Sequence, residues 1–132
     1  MYLKRAIEVY QTTASATTPM MDTIIELLNE MSHLLGETQA TIERQKSSDV
    51  SESLRKLQQV LFELIGVVDQ QTEEGKRLVL LYVILNQNLV TVQLYKRYEL
   101  LQDVQVQVDQ LAEAWTAARQ QQRRHRFTTD IV

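Results

Sequence analysis

The chain has 132 residues, 44% hydrophobic and 23% charged, with a formal net charge of −3. This length supports one domain, and the composition is that of a globular protein rather than a disordered one. Seventeen acidic side chains against fourteen basic ones argue against general binding of nucleic acid or anionic membranes, since both need a basic excess. With no cysteine, the chain has no disulfide, thiol nucleophile or thiolate metal site. Three glycines and one proline favour helices over a turn-rich β fold.

The first 18 residues differ from the rest of the chain. Thr12 to Thr18 reads TTASATT, small residues without a periodic apolar face. Pro19 suits the first turn of a helix, with Thr18 as its N-cap and Asp22 facing the positive helix end. We therefore predict a short N-terminal segment and linker over residues 1–18, helical or extended. The opening MYLKRAIEVYQ has no apolar run of signal-peptide length, and the lack of cysteine is compatible with a reducing cytoplasm.

After Pro19, apolar residues recur at three- and four-residue steps, the spacing of a helix that buries one face. In the first predicted helix they are Ile24, Leu27, Leu28, Met31, Leu35 and Ile42. A polar break at Ser47, Ser48 and Asp49 precedes the second helix. Its apolar seam consists of Val50, Leu54, Leu57, Leu61, Leu64 and Val68. Such a seam is typical of a helix packed at about +20° to its neighbours.

Two further helices follow a polar turn at residues 70–75. The third has its apolar seam at Leu78, Tyr82, Leu85, Leu89 and Val92, and the fourth at Leu101, Val104, Val108, Leu111, Trp115 and Ala118. We place their junction near Tyr95 to Arg97, because a single helix from Lys76 to Gln122 would be about 70 Å long. Alternation in Val104 to Val108 also permits a short strand, but the helical period extends further. Short connections make neighbouring helices antiparallel, so we predict an all-α antiparallel four-helix bundle over residues 19–122.

The third helix also raises the question of a membrane span. Leu78 to Tyr95 contains eighteen residues without a charge, close to the roughly 20 apolar residues that a span needs. Five polar residues interrupt it, namely Asn86, Gln87, Asn88, Thr91 and Gln93. We therefore expect no membrane span.

Few residues are suited to catalysis or metal binding. Glu30 and His33 form half of a bundle di-metal motif, but a second copy is absent and His125 lies far along the chain. No glycine-rich phosphate loop or nucleophile elbow occurs. We expect no enzyme activity, metal site or cofactor.

The C-terminal end is basic, with four arginines between Arg119 and Arg126. Cations near a helix C-terminus complement the helix dipole, and nucleic-acid binding is the alternative. The sequence has no aromatic residues interleaved with these arginines, so we predict a basic flexible tail at residues 123–132 and no nucleic-acid partner.

The third helix has more apolar residues than one core face requires. Leu78 to Leu85 is uninterrupted apolar sequence, whereas a bundle helix needs roughly three apolar positions in seven. At about 100° per residue, a second stripe about 120° from the core stripe contains Val79, Val83 and Val90. Phe62 on the second helix also lies off its seam. This surface could be covered by the N-terminal segment with Ile7 and Tyr10, by a partner's amphipathic helix, or by both in turn if the segment is a movable lid.

Several motifs in this order resemble the flagellin export chaperone family, FliS. They are Met1-Tyr2, Ala6-Ile7-Glu8-Val9-Tyr10-Gln11, the threonine-rich linker before Pro19, Leu78-x-x-Leu81-Tyr82 with Leu89, and Leu111-Ala112-Glu113-Ala114-Trp115. The chain departs from the family pattern at Gln87 and Asn88, where a pair of arginines is usual. It departs again at Val92 and Gln93, where Ala-Asn is usual.

The resemblance implies a cytoplasmic helical bundle that holds the C-terminal segment of flagellin. Such a chaperone prevents premature polymerisation and assists delivery to a component of the flagellar type III export gate. It also implies that Ile7 and Tyr10 cover part of the client surface in the free form. We expect Phe62, Val79, Val83 and Val90 to bind the client. The alternative is a non-enzymatic helical adaptor that forms a homodimer through the surplus apolar face.

Overall fold

The computed structural model describes the backbone of residues 18–44 and 50–131 and the side chains of residues 19–44 and 50–123. The described residues form four α-helices: α1 Thr18–Arg44, α2 Ser51–Gly66, α3 Glu73–Tyr95 and α4 Leu100–Ile131. The predicted all-α fold is confirmed. The alternative strand at residues 104–108 is excluded, because α4 runs through it.

The helices form a ring in which each packs against two neighbours. Both α1 and α3 contact α2 and α4, so α1 and α3 lie on opposite corners. Three polar pairs join α1 to α4: Asp22–Arg119 at 2.8 Å, Ser32–Asp109 at 2.7 Å and Gln39–Gln105 at 3.1 Å. Positions on α1 rise along this series while those on α4 fall. The two helices are therefore antiparallel.

The core is one cluster of apolar side chains from all four helices, including the fully buried rings of Trp115 and Tyr82. The predicted α2 seam lies in it, with Leu54, Leu57, Leu61 and Leu64 buried and Val68 half-buried. Thr38 is also buried, and its hydroxyl donates to the Leu34 carbonyl at 2.7 Å. This bond satisfies a hydroxyl that would otherwise be costly to bury.

Residues 67–72 connect α2 to α3. Thr72 is the N-cap of α3, and its hydroxyl oxygen accepts from the Gly75 N–H at 3.0 Å. This bond satisfies one of the free amide groups at the start of the helix.

The α3–α4 junction lies where the sequence predicts it. α3 ends at Tyr95, and Lys96 has a left-handed conformation with φ 55°. Its N–H donates to the Val92 carbonyl at 2.8 Å, which closes the last turn and reverses the chain. In the same connection, a hydrogen bond from Arg97 lowers the pKa of Glu99 below its ordinary value.

Two details of the helix ends differ from the prediction. α1 already begins at Thr18, so Asp22 lies beyond its first turn, and its carboxylate pairs with Arg119 instead. α4 continues to Ile131, past the expected end of the bundle at 122, and no basic residue lies in its last turn. The backbone is thus helical through Ile131, and the arginines lie before the last turn of α4, so the predicted pairing with the C-terminal end of the helix dipole is wrong. The flexibility of residues 123–132 stays a prediction.

Some predicted features lie outside the described residues: the N-terminal segment with Ile7 and Tyr10, the polar break at residues 47–49 and the side chains beyond 123. The domain boundaries stay predictions. α3 is long and apolar enough to cross a membrane by length and composition alone. A core helix passes the same test, and Leu78, Tyr82, Leu85, Leu89 and Val92 of α3 are buried in the bundle.

Candidate functional site

Most of the large apolar side chains that remain exposed lie on α3. Across the described side chains, those exposed are Phe62, Leu80, Val83, Ile84, Leu94, Tyr95 and Val106. Only the first and the last of these are outside α3. The helix therefore presents one buried stripe to the core and additional apolar surface to solvent.

A hydrogen bond shows which side of α3 faces α2. The Gln58 amide nitrogen on α2 donates to the Asn86 side-chain oxygen on α3 at 3.1 Å. Val83 and Val90 lie three residues before and four residues after Asn86, so they share its side of the helix, as does Val79 one further turn back. The predicted second stripe therefore runs along the α2 side of α3.

Phe62 belongs to the same region. It follows Gln58 by one turn on α2. The short connection of residues 67–72 makes α2 and α3 antiparallel, so this turn lies level with the turn of Val83. Phe62 is 59% exposed and Val83 is 38% exposed, while Val79 and Val90 are half-buried. We call this surface the α2–α3 groove: Phe62, Val79, Val83 and Val90, with Gln58 and Asn86 between them.

The structure thus places all four predicted client-binding residues on one groove, while their binding role stays a prediction. The other two predicted site residues, Ile7 and Tyr10, lie outside the described residues, so the lid also stays a prediction.

Sequence reasoning missed the Gln58–Asn86 pair. It treated Asn86 only as a polar residue that argues against a membrane span. The two residues are 28 positions apart, and neither stands in a local motif. The available signal was that each of the two amides flanks an apolar seam on consecutive antiparallel helices. This signal does not show which two amides meet, because that depends on the register of the helices.

The predicted half of a metal motif, Glu30 and His33, lies exposed on α1. His33 is exposed and pairs with Glu37 at 2.9 Å on the outer face of α1. Within residues 19–44 and 50–123, no group of three histidine, aspartate or glutamate side chains could hold a metal ion. A depression of about 330 Å³ between α1 and α4 has Glu113 as the one titratable side chain in its lining. It contains no paired acid and base.

The family model of flagellar protein FliS matches residues 3–122. The chain belongs to the FliS family. The match covers α1, α2, α3 and most of α4, and it confirms the resemblance that the motifs indicated. FliS is a chaperone family rather than an enzyme family, and membership supports a general role in flagellar export. No curated protein and no solved structure matches the chain.

Proposed function

We propose that this FliS protein is a cytoplasmic chaperone that binds the C-terminal segment of flagellin in the α2–α3 groove. Binding prevents premature polymerisation, and the complex is delivered to a component of the flagellar export gate. Family membership supports the chaperone role, and the exposed groove supports the location of the client site.

The observation that carries this proposal is the apolar surface that α2 and α3 leave exposed among the described side chains. Large contiguous patches of exposed apolar surface are uncommon on monomeric proteins and mark binding sites, and grooves between helices accept peptide segments. The α3 side of the groove has no charged residue from Leu78 to Tyr95. An apolar client can therefore dock against it without desolvating a charge, which would be costly.

The N-terminal segment completes the proposal as a displaceable lid. Ile7 and Tyr10 are large apolar residues that precede the small, uncharged linker TTASATT. A segment of this kind covers the groove in the free chaperone and gives way when the client binds. The apparent affinity for the client is then the intrinsic affinity multiplied by the fraction of time that the groove is uncovered.

The experiment that tests this proposal is Val83→Asp. Val83 is 38% exposed, so the variant keeps its helical circular dichroism spectrum and nearly its melting temperature. In the complex, the new carboxylate is desolvated without a partner, which costs several kcal/mol. We expect a loss of at least about a hundredfold in affinity for a flagellin C-terminal fragment, measured by titration calorimetry.

Val106→Asp is the matched control. Val106 is a valine of similar exposure on α4, 45% exposed and outside the groove, so its variant binds the fragment normally. Unchanged binding by Val83→Asp would place the client elsewhere. Unfolding of Val83→Asp would assign this stripe to the core.

A helical adaptor that pairs with a second copy is the second candidate function. Leu80 and Ile84 favour it, because they are 60% and 44% exposed and lie on α3 outside the groove. Such an adaptor is dimeric without client. A monomeric mass in light scattering at micromolar concentration would contradict this alternative.

A further inference from the structure

α4 extends beyond the helices that it packs against. Asp22 on α1 pairs with Arg119 on α4, and the two helices are antiparallel. Thr18, where α1 begins, precedes Asp22 by four residues, so it is level with Arg123, which follows Arg119 by four. The α4 backbone of residues 124–131 therefore continues past the start of α1.

α3 gives the same limit. It has 23 residues, from Glu73 to Tyr95, and the short connection of residues 96–99 makes it antiparallel to α4. It therefore runs beside the first 23 residues of α4, up to position 122. The match to the family model also ends at residue 122. The last eight helical residues of α4 thus extend about 12 Å beyond α1 and α3, in a part of the chain that the family model does not match.

The charges of the chain are separated between the bundle and the terminal segments. Residues 19–122 carry fifteen acidic and nine basic side chains, a net charge of −6. Residues 1–18 and 123–132 together carry five basic and two acidic side chains, a net charge of +3. Both segments join the bundle at the same end, because α1 begins where α4 leaves the bundle. The composition of the whole chain argues against binding to anionic membranes, but it does not show that the basic residues are concentrated at one end.

The extension of α4 has the composition of a helix that binds at a membrane surface. Arg123, Arg124 and Arg126 supply three cations, and the side chain of Arg123 is exposed. Phe127 and Ile131 follow them and are four residues apart, a spacing that places two positions on the same side of a helix. Basic helices with an apolar side bind where lipid headgroups meet the acyl chains.

We propose that residues 123–131 bind the surface of an anionic lipid bilayer, with the bundle held away from it. The three arginines attract the lipid phosphates, and Phe127 and Ile131 enter the headgroup region. This inference goes beyond the proposed function, because lipid binding uses the end of α4 and not the α2–α3 groove.

The acidic bundle does not prevent this contact. Glu73 and Glu74 begin α3 at this end of the bundle. Charges in solution are screened over about 8 Å at physiological ionic strength, and the extension is about 12 Å long, so a flat surface at its tip is beyond their strong repulsion. A nucleic-acid strand instead follows a positively charged groove with aromatic residues for stacking, whereas the surface beside the extension includes these carboxylates. The geometry therefore favours a lipid surface.

Co-sedimentation of the full-length protein with vesicles tests this proposal. One set of vesicles is phosphatidylcholine alone, and the other contains equal parts of phosphatidylcholine and phosphatidylglycerol. We expect binding to the anionic vesicles only, weakened by added salt. Each cation near such a surface strengthens binding about fivefold, so Arg123→Gln/Arg124→Gln/Arg126→Gln should lower the partition coefficient at least about tenfold.

Arg55→Gln/Lys56→Gln/Arg77→Gln is the matched control. It removes three exposed cations of α2 and α3, so it changes the net charge by the same amount, and its partition coefficient stays close to that of the wild type. Circular dichroism checks that both triple variants remain helical, and the comparison of the two vesicle types uses the wild type alone. A wild type that does not prefer anionic vesicles, or an equal loss in the control variant, overturns the proposal.

Phe127→Ser/Ile131→Ser distinguishes a lipid surface from other polyanions, because it keeps every charge. We expect weaker binding to the anionic vesicles. Unchanged vesicle binding by this variant, or wild-type binding to a single-stranded oligonucleotide that is tighter than binding to the vesicles, would make phosphate groups alone the ligand and overturn the proposal. The arginine variant should still bind the flagellin C-terminal fragment like the wild type, so a failure of lipid binding leaves the proposed function standing.

Discussion

Gly75 and Gly36 are helical glycines in opposite surroundings. Gly75 is buried in the first turn of α3, and a Cβ atom there would overlap the main-chain carbonyl of Asp69 and come within 2.8 Å of the Thr72 hydroxyl. That hydroxyl is the one that caps the helix. Gly36 is exposed on α1, with nothing within 4 Å of a Cβ at its position. The absence of a side chain is therefore required only at Gly75.

Alanine at these two positions is expected to change stability in opposite directions. Gly75→Ala forces the α2–α3 connection away from α3 and lowers the free energy of unfolding by about 1–3 kcal/mol, as overpacking does. Gly36→Ala raises it by about 1 kcal/mol through helix propensity. Urea unfolding followed by the fluorescence of the single tryptophan, Trp115, measures both. If Gly75→Ala were as stabilising as Gly36→Ala, the connection would be free to shift.

At the scale of the element, a substitution in the apolar seam of α2 tests whether that seam belongs to the core. Leu61 is fully buried at its centre, so Leu61→Ala removes buried methyl groups and leaves a cavity. We expect a loss of about 2–5 kcal/mol in the free energy of unfolding. Glu63→Ala, two residues along on the exposed side of α2, is the control and changes stability by less than about 0.5 kcal/mol. A similarly small effect of Leu61→Ala would contradict the assignment of this seam to the core.

The helices themselves could be predicted because their signals are local. The three- and four-residue steps from Leu54 to Leu64 record which face of α2 is buried. The α3–α4 junction followed from the length that an unbroken helix would have. The Asp22–Arg119 and Gln58–Asn86 pairs could not be predicted, because they depend on how far one helix is displaced along another. That displacement is set by packing across the whole bundle.

The same limit applies to the groove. The sequence placed Val79, Val83 and Val90 on one stripe of α3, since the angle between residues on a helix is fixed. It could not state whether that stripe faces α2 or α4, because this depends on the handedness with which the bundle closes. The contact between Gln58 and Asn86 shows that the stripe faces α2. This places Phe62 of α2 on the same surface.

At the scale of the whole molecule, charge and apolar surface lie on opposite corners of the bundle. α1 carries five acidic side chains, namely Asp22, Glu26, Glu30, Glu37 and Glu43. α3, on the diagonal corner, has an uncharged stretch from Leu78 to Tyr95. A net charge away from zero keeps a protein dispersed in solution. The acidic residues of α1 can therefore keep the protein dispersed in solution although α3, on the opposite corner, exposes apolar side chains.

An open groove still favours non-specific association, and the proposed lid of Ile7 and Tyr10 would limit it. Deleting residues 1–11 removes both side chains and leaves α1 intact from Thr18. We expect an unchanged helical spectrum, increased binding of a hydrophobic dye, and tighter binding of the flagellin fragment because no segment competes for the groove. In the full-length chain, Ile7→Ser/Tyr10→Ser should reproduce these effects, whereas Lys4→Ser/Arg5→Ser, which changes only charged residues of the same segment, should not. If dye binding and client affinity both stay at the wild-type level after deletion, the N-terminal segment does not cover the groove.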